Sequence, residues 1–196
     1  MYIAQYMDSP NDASAQADIL KDSQVNGVQN GICFALCAQW LADWASNTLR
    51  SPNEVWHEMK DPVTMKQIER NHQSYRNNNL SLNDVIMLVS RNGNRIANNA
   101  AAGNRFATAV ALSNLITNSA VSMHLLRITL TDRNNSTFGH AVACIAFNGN
   151  HFLYDPNIGA MNDRQQNGNP AGMTGFMFQF YAGANLTVSG NLLDVI

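Results

Sequence analysis

The apolar side chains between residues 33 and 44 recur at intervals of three and four positions. They are Cys33, Leu36, Cys37, Trp40, Leu41 and Trp44. This spacing places them on one face of an amphipathic helix, which we predict over residues 33–49. Residues 26–31, rich in Gly, Asn and Gln, form a polar turn directly before it. A cysteine therefore opens a buried helix, where the free amides and the positive end of the helix dipole stabilise a thiolate.

Four more helices are predicted from capping signals and from the same apolar spacing. Their predicted ranges are 51–59, 61–77, 81–92 and 105–117. The clearest start is Ser51, since Pro52 occupies the first helical position and Glu54 completes a capping box. We interpret these helices as scaffold rather than as sources of chemistry.

From residue 121 onward the pattern changes to runs that are typical of strands. The predicted strands cover residues 121–131, 138–147, 151–154, 174–181 and 186–195. The second is apolar throughout, as in a central strand buried on both faces, and Asn148-Gly149 after it is a strong hairpin signal. Helices in the N-terminal half followed by antiparallel strands in the C-terminal half predict an α+β fold.

Composition and charge serve mainly to exclude other classes of protein. The 196 residues show no repeat and no linker, so we predict one domain over residues 1–196, in which residues 1–22 form a flexible N-terminal segment. A net charge of -2 leaves no electrostatic footprint for nucleic acid or for an anionic membrane. No apolar run approaches ~18 residues, and the N-terminus lacks the pattern of a Sec-type signal peptide. Three cysteines, an odd number, exclude a complete disulfide framework.

The candidate chemistry lies in the hairpin around Asn148-Gly149. His140 opens its first strand and Asp155 closes its second, so we expect the two side chains at the same end of the sheet. Counting outward from the turn gives an offset of about two residues, which we expect a bulge to absorb. A carboxylate beside an imidazole is the arrangement that orients a general base. With Cys33 at the start of a helix packed on that sheet, the pattern predicts a nucleophile, a base and an orienting acid.

Three short blocks of the sequence resemble one protein family. They are Gly-Ile-Cys-x-Ala-Leu-Cys-x-x-Trp at 31–40, Gly-His-Ala at 139–141 and Phe-x-Tyr-Asp-Pro-Asn-x-Gly at 152–159. Together they are similar to the YopT/AvrPphB family of papain-like cysteine proteases, which are bacterial type III effectors and their relatives. The resemblance spans about residues 24–160 and preserves the order Cys, His, Asp. It implies a papain-like fold with Cys33 as the nucleophile, His140 as the base and Asp155 as the orienting acid.

The resemblance also implies a setting for the activity. It implies an endopeptidase that cleaves a specific protein of a host, delivered as a secreted effector without a Sec signal peptide and acting in the host cytoplasm. We expect a monomer that needs no cofactor or metal ion and has no nucleic-acid partner or integral membrane segment. Members of this family stabilise the oxyanion with the cysteine N–H and an upstream side-chain amide. Gln29 is our first candidate for that amide and Asn26 the second, since Gly27 occupies the spacing of six residues that papain uses.

Two alternatives stay open at this point. The same triad serves glutamine deamidases, amidases and acyl transferases, because these enzymes share the thioester intermediate. The other alternative is a catalytically inactive binding module on the same scaffold. A zinc site built from Cys33, Cys37 and His140 is disfavoured, because no second closely spaced Cys/His pair exists. We predict Cys37 and Cys144 as core residues, and His124 as a surface or packing residue without an acidic partner.

Overall fold

The computed structural model of this chain describes most of the sequence. The described residues are 5–6, 32–47, 49–59, 61–78, 81–89, 93, 104–162 and 170–196. No helix within these segments is long and apolar enough to cross a lipid bilayer.

Six helices lie in the described segments. They are α1 (Cys33–Ser46), α2 (Pro52–Met59), α3 (Pro62–Asn77), α4 (Leu82–Val89), α5 (Ala109–Thr117) and α6 (Ala171–Gly183). At the start of α2 the Ser51 N–H donates to the Glu54 carboxylate over 3.1 Å. At the start of α3 the Asp61 carboxylate accepts from the N–H of Val63 at 3.0 Å and of Thr64 at 3.1 Å. These bonds satisfy backbone amides near each helix start, and they confirm the starts predicted from the sequence.

Seven strands within the described residues form one sheet. They are β1 (Gln5–Tyr6), β2 (Arg105–Phe106), β3 (Met123–Thr131), β4 (Thr137–Phe147), β5 (Asn150–Asp155), β6 (Gly159–Asn162) and β7 (Thr187–Val195). Their order across the sheet is β1-β6-β5-β4-β3-β7-β2, and every neighbouring pair is antiparallel. This order confirms the α+β class and places β4, the apolar run of the sequence, at the centre of the sheet.

The sheet carries a hydrophobic core on each face, because successive residues of a strand point to opposite sides. On one face Ala143 and Ile145 of β4 pack with α1 and with side chains of α2, α3 and α4. On the other face Val142 and Cys144 pack with side chains of α5 and α6. Residues 140–145 of β4 are thus buried on both faces, which explains why they lack the apolar–polar alternation of a strand that is half exposed.

The prediction of a strand over residues 174–181 is wrong, because these residues belong to α6. Phenylalanine at every second position mimics a strand, whereas the buried positions recur with the spacing of a helix. The buried residues are Gly172, Met173, Thr174, Met177 and Tyr181.

The helix predicted over residues 105–117 is wrong at its start. Its first two residues form β2, and α5 begins at Ala109. Thr108 caps that start, since its hydroxyl accepts from the Ala111 N–H at 3.1 Å.

Candidate active site

The hairpin of β4 and β5 turns at Asn148-Gly149, as predicted. Both residues have positive φ, 49° at Asn148 and 72° at Gly149, which Asn and Gly adopt more readily than other residues. Pairing then continues without a break from this turn as far as Ala143, which faces Tyr154. The turn therefore determines which residues of β4 and β5 face each other at the far end of the hairpin.

His140 and Asp155 meet diagonally across that far end. Continuing the register by one step sets Asp155 opposite Val142, two positions from His140 and on the same face of the sheet. Side chains reach each other across such a diagonal, and His140 Nε2 lies 2.8 Å from Asp155 Oδ1. The predicted proximity is therefore present. The prediction of a bulge is wrong, because β4 and β5 pair regularly from the turn as far as Ala143 and Tyr154.

Cys33 is the first residue of α1, and the helix that follows it determines its position. One turn further on, the Cys37 thiol donates to the carbonyl oxygen of Ala141 at 3.4 Å, which attaches α1 to the residue next to His140. The start of the helix is thereby held against the end of the hairpin. There Cys33 lies close enough to the imidazole of His140 to raise its pKa. The structure thus brings Cys33, His140 and Asp155 together.

The imidazole of His140 is almost completely buried, at 7% exposure. Burial by itself lowers its pKa, because a charged ring is poorly solvated in the interior. The charge and the hydrogen bond of Asp155 oppose this effect, and Cys33 adds to them, so that the pKa of His140 is raised from 6.5 to about 10. The ring is consequently an imidazolium at neutral pH. An imidazolium beside a sulfur atom favours the thiolate form of a cysteine.

The Asp155 carboxylate is fully buried and has two partners besides His140. The Asn157 N–H donates to Oδ1 at 2.9 Å, and the Tyr181 hydroxyl donates to Oδ2 at 2.9 Å. Neither residue was predicted from the sequence as part of the site. Asn157 could have been found, because an aspartate often accepts the amide two residues further on in a turn. No sequence signal pointed to a contact between Tyr181 and Asp155, since the segment that contains Tyr181 was predicted as a strand.

Cys37 and Cys144 are confirmed as core residues. Both are fully buried, and desolvation raises the pKa of each thiol. The prediction that His124 has no acidic partner is wrong, because its Nδ1 lies 3.0 Å from Asp194 Oδ1. Burial is the largest effect on His124 and its pKa is lowered although Asp194 raises it, so this second pair joins a neutral imidazole to a carboxylate.

The two candidates for the upstream amide, Gln29 and Asn26, lie outside the described residues. Their role in binding an oxyanion stays a prediction. In the part of the chain that the structure describes, no three His, Cys, Asp or Glu side chains group closely enough to hold a metal ion.

A helix that begins with cysteine, packed on an antiparallel sheet beside a His–Asp hairpin, places this chain in the class of papain-like folds. The solved structure of the Pseudomonas avirulence protein AvrPphB is similar, with a TM-score of 0.51 and 16% identity over 90% of this chain and 99% of that chain. PatoxP, a cysteine protease-like domain of the Photorhabdus asymbiotica toxin PaTox, has a TM-score of 0.44 and 12% identity over 90% of this chain and 50% of that chain. No protein-family model and no curated protein matches the sequence. The likeness to AvrPphB establishes the fold and confirms the predicted resemblance at that level.

Proposed function

We propose that this chain is a cysteine endopeptidase with Cys33 as the nucleophile, His140 as the base and Asp155 as the orienting acid. The observation that carries the proposal is the position of His140. Its Nε2 lies 2.8 Å from the Asp155 carboxylate, and Cys33 lies close enough to the same ring to raise its pKa. With Nε2 engaged by Asp155, Nδ1 is the nitrogen that exchanges a proton with the sulfur.

In the proposed reaction the Cys33 thiolate attacks the carbonyl carbon of a peptide bond. The carbon–nitrogen bond then breaks as the His140 imidazolium gives its proton to the leaving amine, and a thioester remains. Neutral His140 next removes a proton from water, whose oxygen attacks the acyl carbon and releases the thiolate. Asp155 holds the ring throughout and stabilises its charged form. The Cys33 N–H and the side chain of Gln29 or Asn26 would donate to the oxyanion.

The proposed substrate is a specific protein of a host cell. The likeness of the fold to AvrPphB, which is named an avirulence protein, supports this setting. We accordingly propose a secreted effector that acts as a monomer in the host cytoplasm.

The test is to incubate the protein with a library of peptides derived from a whole proteome and to identify new amino termini by mass spectrometry. The variants are Cys33→Ala and His140→Ala, with Cys144→Ala as the matched control. Cys144 is a buried cysteine on the opposite face of the sheet from α1, so its loss should leave cleavage unchanged. Thermal melting of each variant establishes that it is folded.

We expect new amino termini with the native protein and with Cys144→Ala, and none with the other two variants. Cleavage by Cys33→Ala at the native rate would overturn the proposal. Intact peptides in which glutamine has become glutamate would instead identify a deamidase. Peptides that stay unchanged in the presence of folded native protein would also contradict an endopeptidase acting on such sequences.

A further inference from the structure

The Asp155 carboxylate is held from three directions. His140 Nε2 at 2.8 Å and the Asn157 N–H at 2.9 Å share its Oδ1, while the Tyr181 hydroxyl donates to Oδ2 at 2.9 Å. The side-chain amide of Asn157 in turn donates to the Tyr181 oxygen at 3.1 Å. Asp155, Asn157 and Tyr181 therefore form a closed ring of hydrogen bonds behind the imidazole.

The direction of the bond from Tyr181 to Asp155 follows from its surroundings. A phenol has one proton to donate, and the Asn157 amide already donates to the Tyr181 oxygen. The phenolic proton is therefore free to point at Asp155. Tyr181 is 2% exposed, and burial together with the charge of Asp155 raises the pKa of its hydroxyl, so the hydroxyl keeps this proton. The Tyr181 ring also lies edge-on to the imidazole of His140, with 5.9 Å between ring centroids.

We propose that Tyr181 is a positioning residue of the active site, and that Asn157 orients its hydroxyl. The proposal rests on the proposed function, since it assigns Tyr181 a part in that reaction through Asp155. Two donors compete for Oδ1, and the Tyr181 hydroxyl is the donor that satisfies Oδ2. It thereby fixes the rotation of the carboxylate so that Oδ1 faces His140. Tyr181 comes from α6, on the side of the sheet opposite α1, so both layers of helices contribute to the site.

Loss of the hydroxyl leaves the buried Oδ2 without this donor. An unsatisfied charged acceptor in the interior is energetically unfavourable. One of the two donors on Oδ1 would then move to Oδ2, and the carboxylate would rotate away from His140. We expect Tyr181→Phe to lower kcat about tenfold, the effect of one hydrogen bond to a charged group. KM should stay unchanged, because a residue this deeply buried does not contact substrate.

The decisive experiment is a double-mutant cycle. Tyr181→Phe is combined with Asp155→Ala, and kcat is measured for all four proteins. A residue that acts only through Asp155 costs nothing further once that carboxylate is gone. Thr174→Val is the matched control, because it removes another buried hydroxyl of α6, which among the described residues donates to the carbonyl oxygens of Pro170 and Ala171. It should lower thermal stability and leave kcat unchanged.

A second readout does not need turnover. The low-field NMR signal of the His140 Nε2 proton reports its bond to Asp155, and Tyr181→Phe should shift or broaden it, whereas Thr174→Val should not. If Tyr181→Phe fails to fold, Asn157→Ala carries the test. It keeps the backbone N–H and removes the side-chain amide that orients the phenol, so a smaller loss of kcat is expected.

The same loss of kcat from Tyr181→Phe with and without the Asp155 carboxylate would overturn the proposal, as would an unchanged kcat and an unchanged imidazole signal. If the native protein cleaves nothing but Tyr181→Phe still changes the imidazole signal, the result would contradict the proposed endopeptidase activity and support the positioning role of Tyr181.

Discussion

Replacing Asp155 by asparagine should destabilise the fold by an amount that depends on pH. The replacement keeps the shape of the side chain and removes its charge, which leaves the buried imidazolium of His140 without a counter-ion. The comparison is best made in a Cys33→Ala background, because Cys33 also raises the pKa of His140.

The size of the effect follows from the contact between the two groups. His140 and Asp155 lie 2.8 Å apart and are both buried. The rise in the pKa of His140 from 6.5 to about 10 corresponds to at most about 5 kcal/mol, part of which comes from Cys33. Breaking a buried ion pair by removing one partner typically costs ~3–5 kcal/mol. We therefore expect a loss of about 3 kcal/mol near pH 6 in the free energy of unfolding.

The sign of the pH dependence follows from proton linkage. The pKa of His140 is higher in the folded than in the unfolded protein, so the folded state holds its proton more tightly. The resulting stability is complete below the unfolded pKa of 6.5 and is lost as the pH rises through about 10. The difference between the two proteins should consequently be largest near pH 6 and much smaller near pH ~10.5.

Urea denaturation followed by tryptophan fluorescence measures this difference, since Trp40 and Trp44 are both buried in α1. Asp194→Asn is the matched control, because it makes the same change in the other His–Asp pair. The pKa of His124 is lowered in that pair, so its ring is neutral over most of the range and the effect of Asp194→Asn should be constant above about pH 7. An effect of Asp155→Asn that is equally constant from pH ~6 to ~10.5 would refute the assignment of a buried ion pair.

Two further predictions concern the thiols and the sheet. Near pH 6 iodoacetamide should modify Cys33 faster than Cys37 or Cys144, because Cys33 is 8% exposed whereas the other two thiols are fully buried and burial raises their pKa. Peptide mapping of the modified protein measures the rates, and equal rates would contradict this difference between the three thiols. Gly190→Ala should destabilise the fold by roughly 2–4 kcal/mol, because a Cβ there would overlap the carbonyl oxygen of Arg127 on β3; a melting temperature equal to that of the native protein would contradict this packing.

The parts of the fold that could be predicted from the sequence have local causes. The caps of α2 and α3 act within three residues of each helix start, and Asn148-Gly149 imposes its own backbone geometry. A two-residue turn also determines which residues face each other along the hairpin. The proximity of His140 and Asp155 could therefore be derived by counting, although they are 15 residues apart.

The parts that could not be predicted depend on packing between distant segments. Phenylalanine at every second position of α6 fits a strand as well as a helix, and the packing of Met173 and Met177 against the sheet decides between them. The bond from Tyr181 to Asp155 joins residues 26 apart, and the bond from His124 to Asp194 joins residues 70 apart. Contacts between residues this far apart in the chain produce no periodic pattern in the sequence.

The unbroken pairing of β4 and β5 restricts how the chain can change in length during evolution. Deleting one residue within either strand would turn His140 and Asp155 to opposite sides of the sheet, since side chains alternate. Deleting two residues from β5 would restore the side but move Asp155 about 6.6 Å further from His140, and deleting two from β4 would move His140 by the same distance from its place beside Cys33. Insertions and deletions can accumulate before β4 or after β6, whereas the stretch from His140 to Asp155 must keep its length.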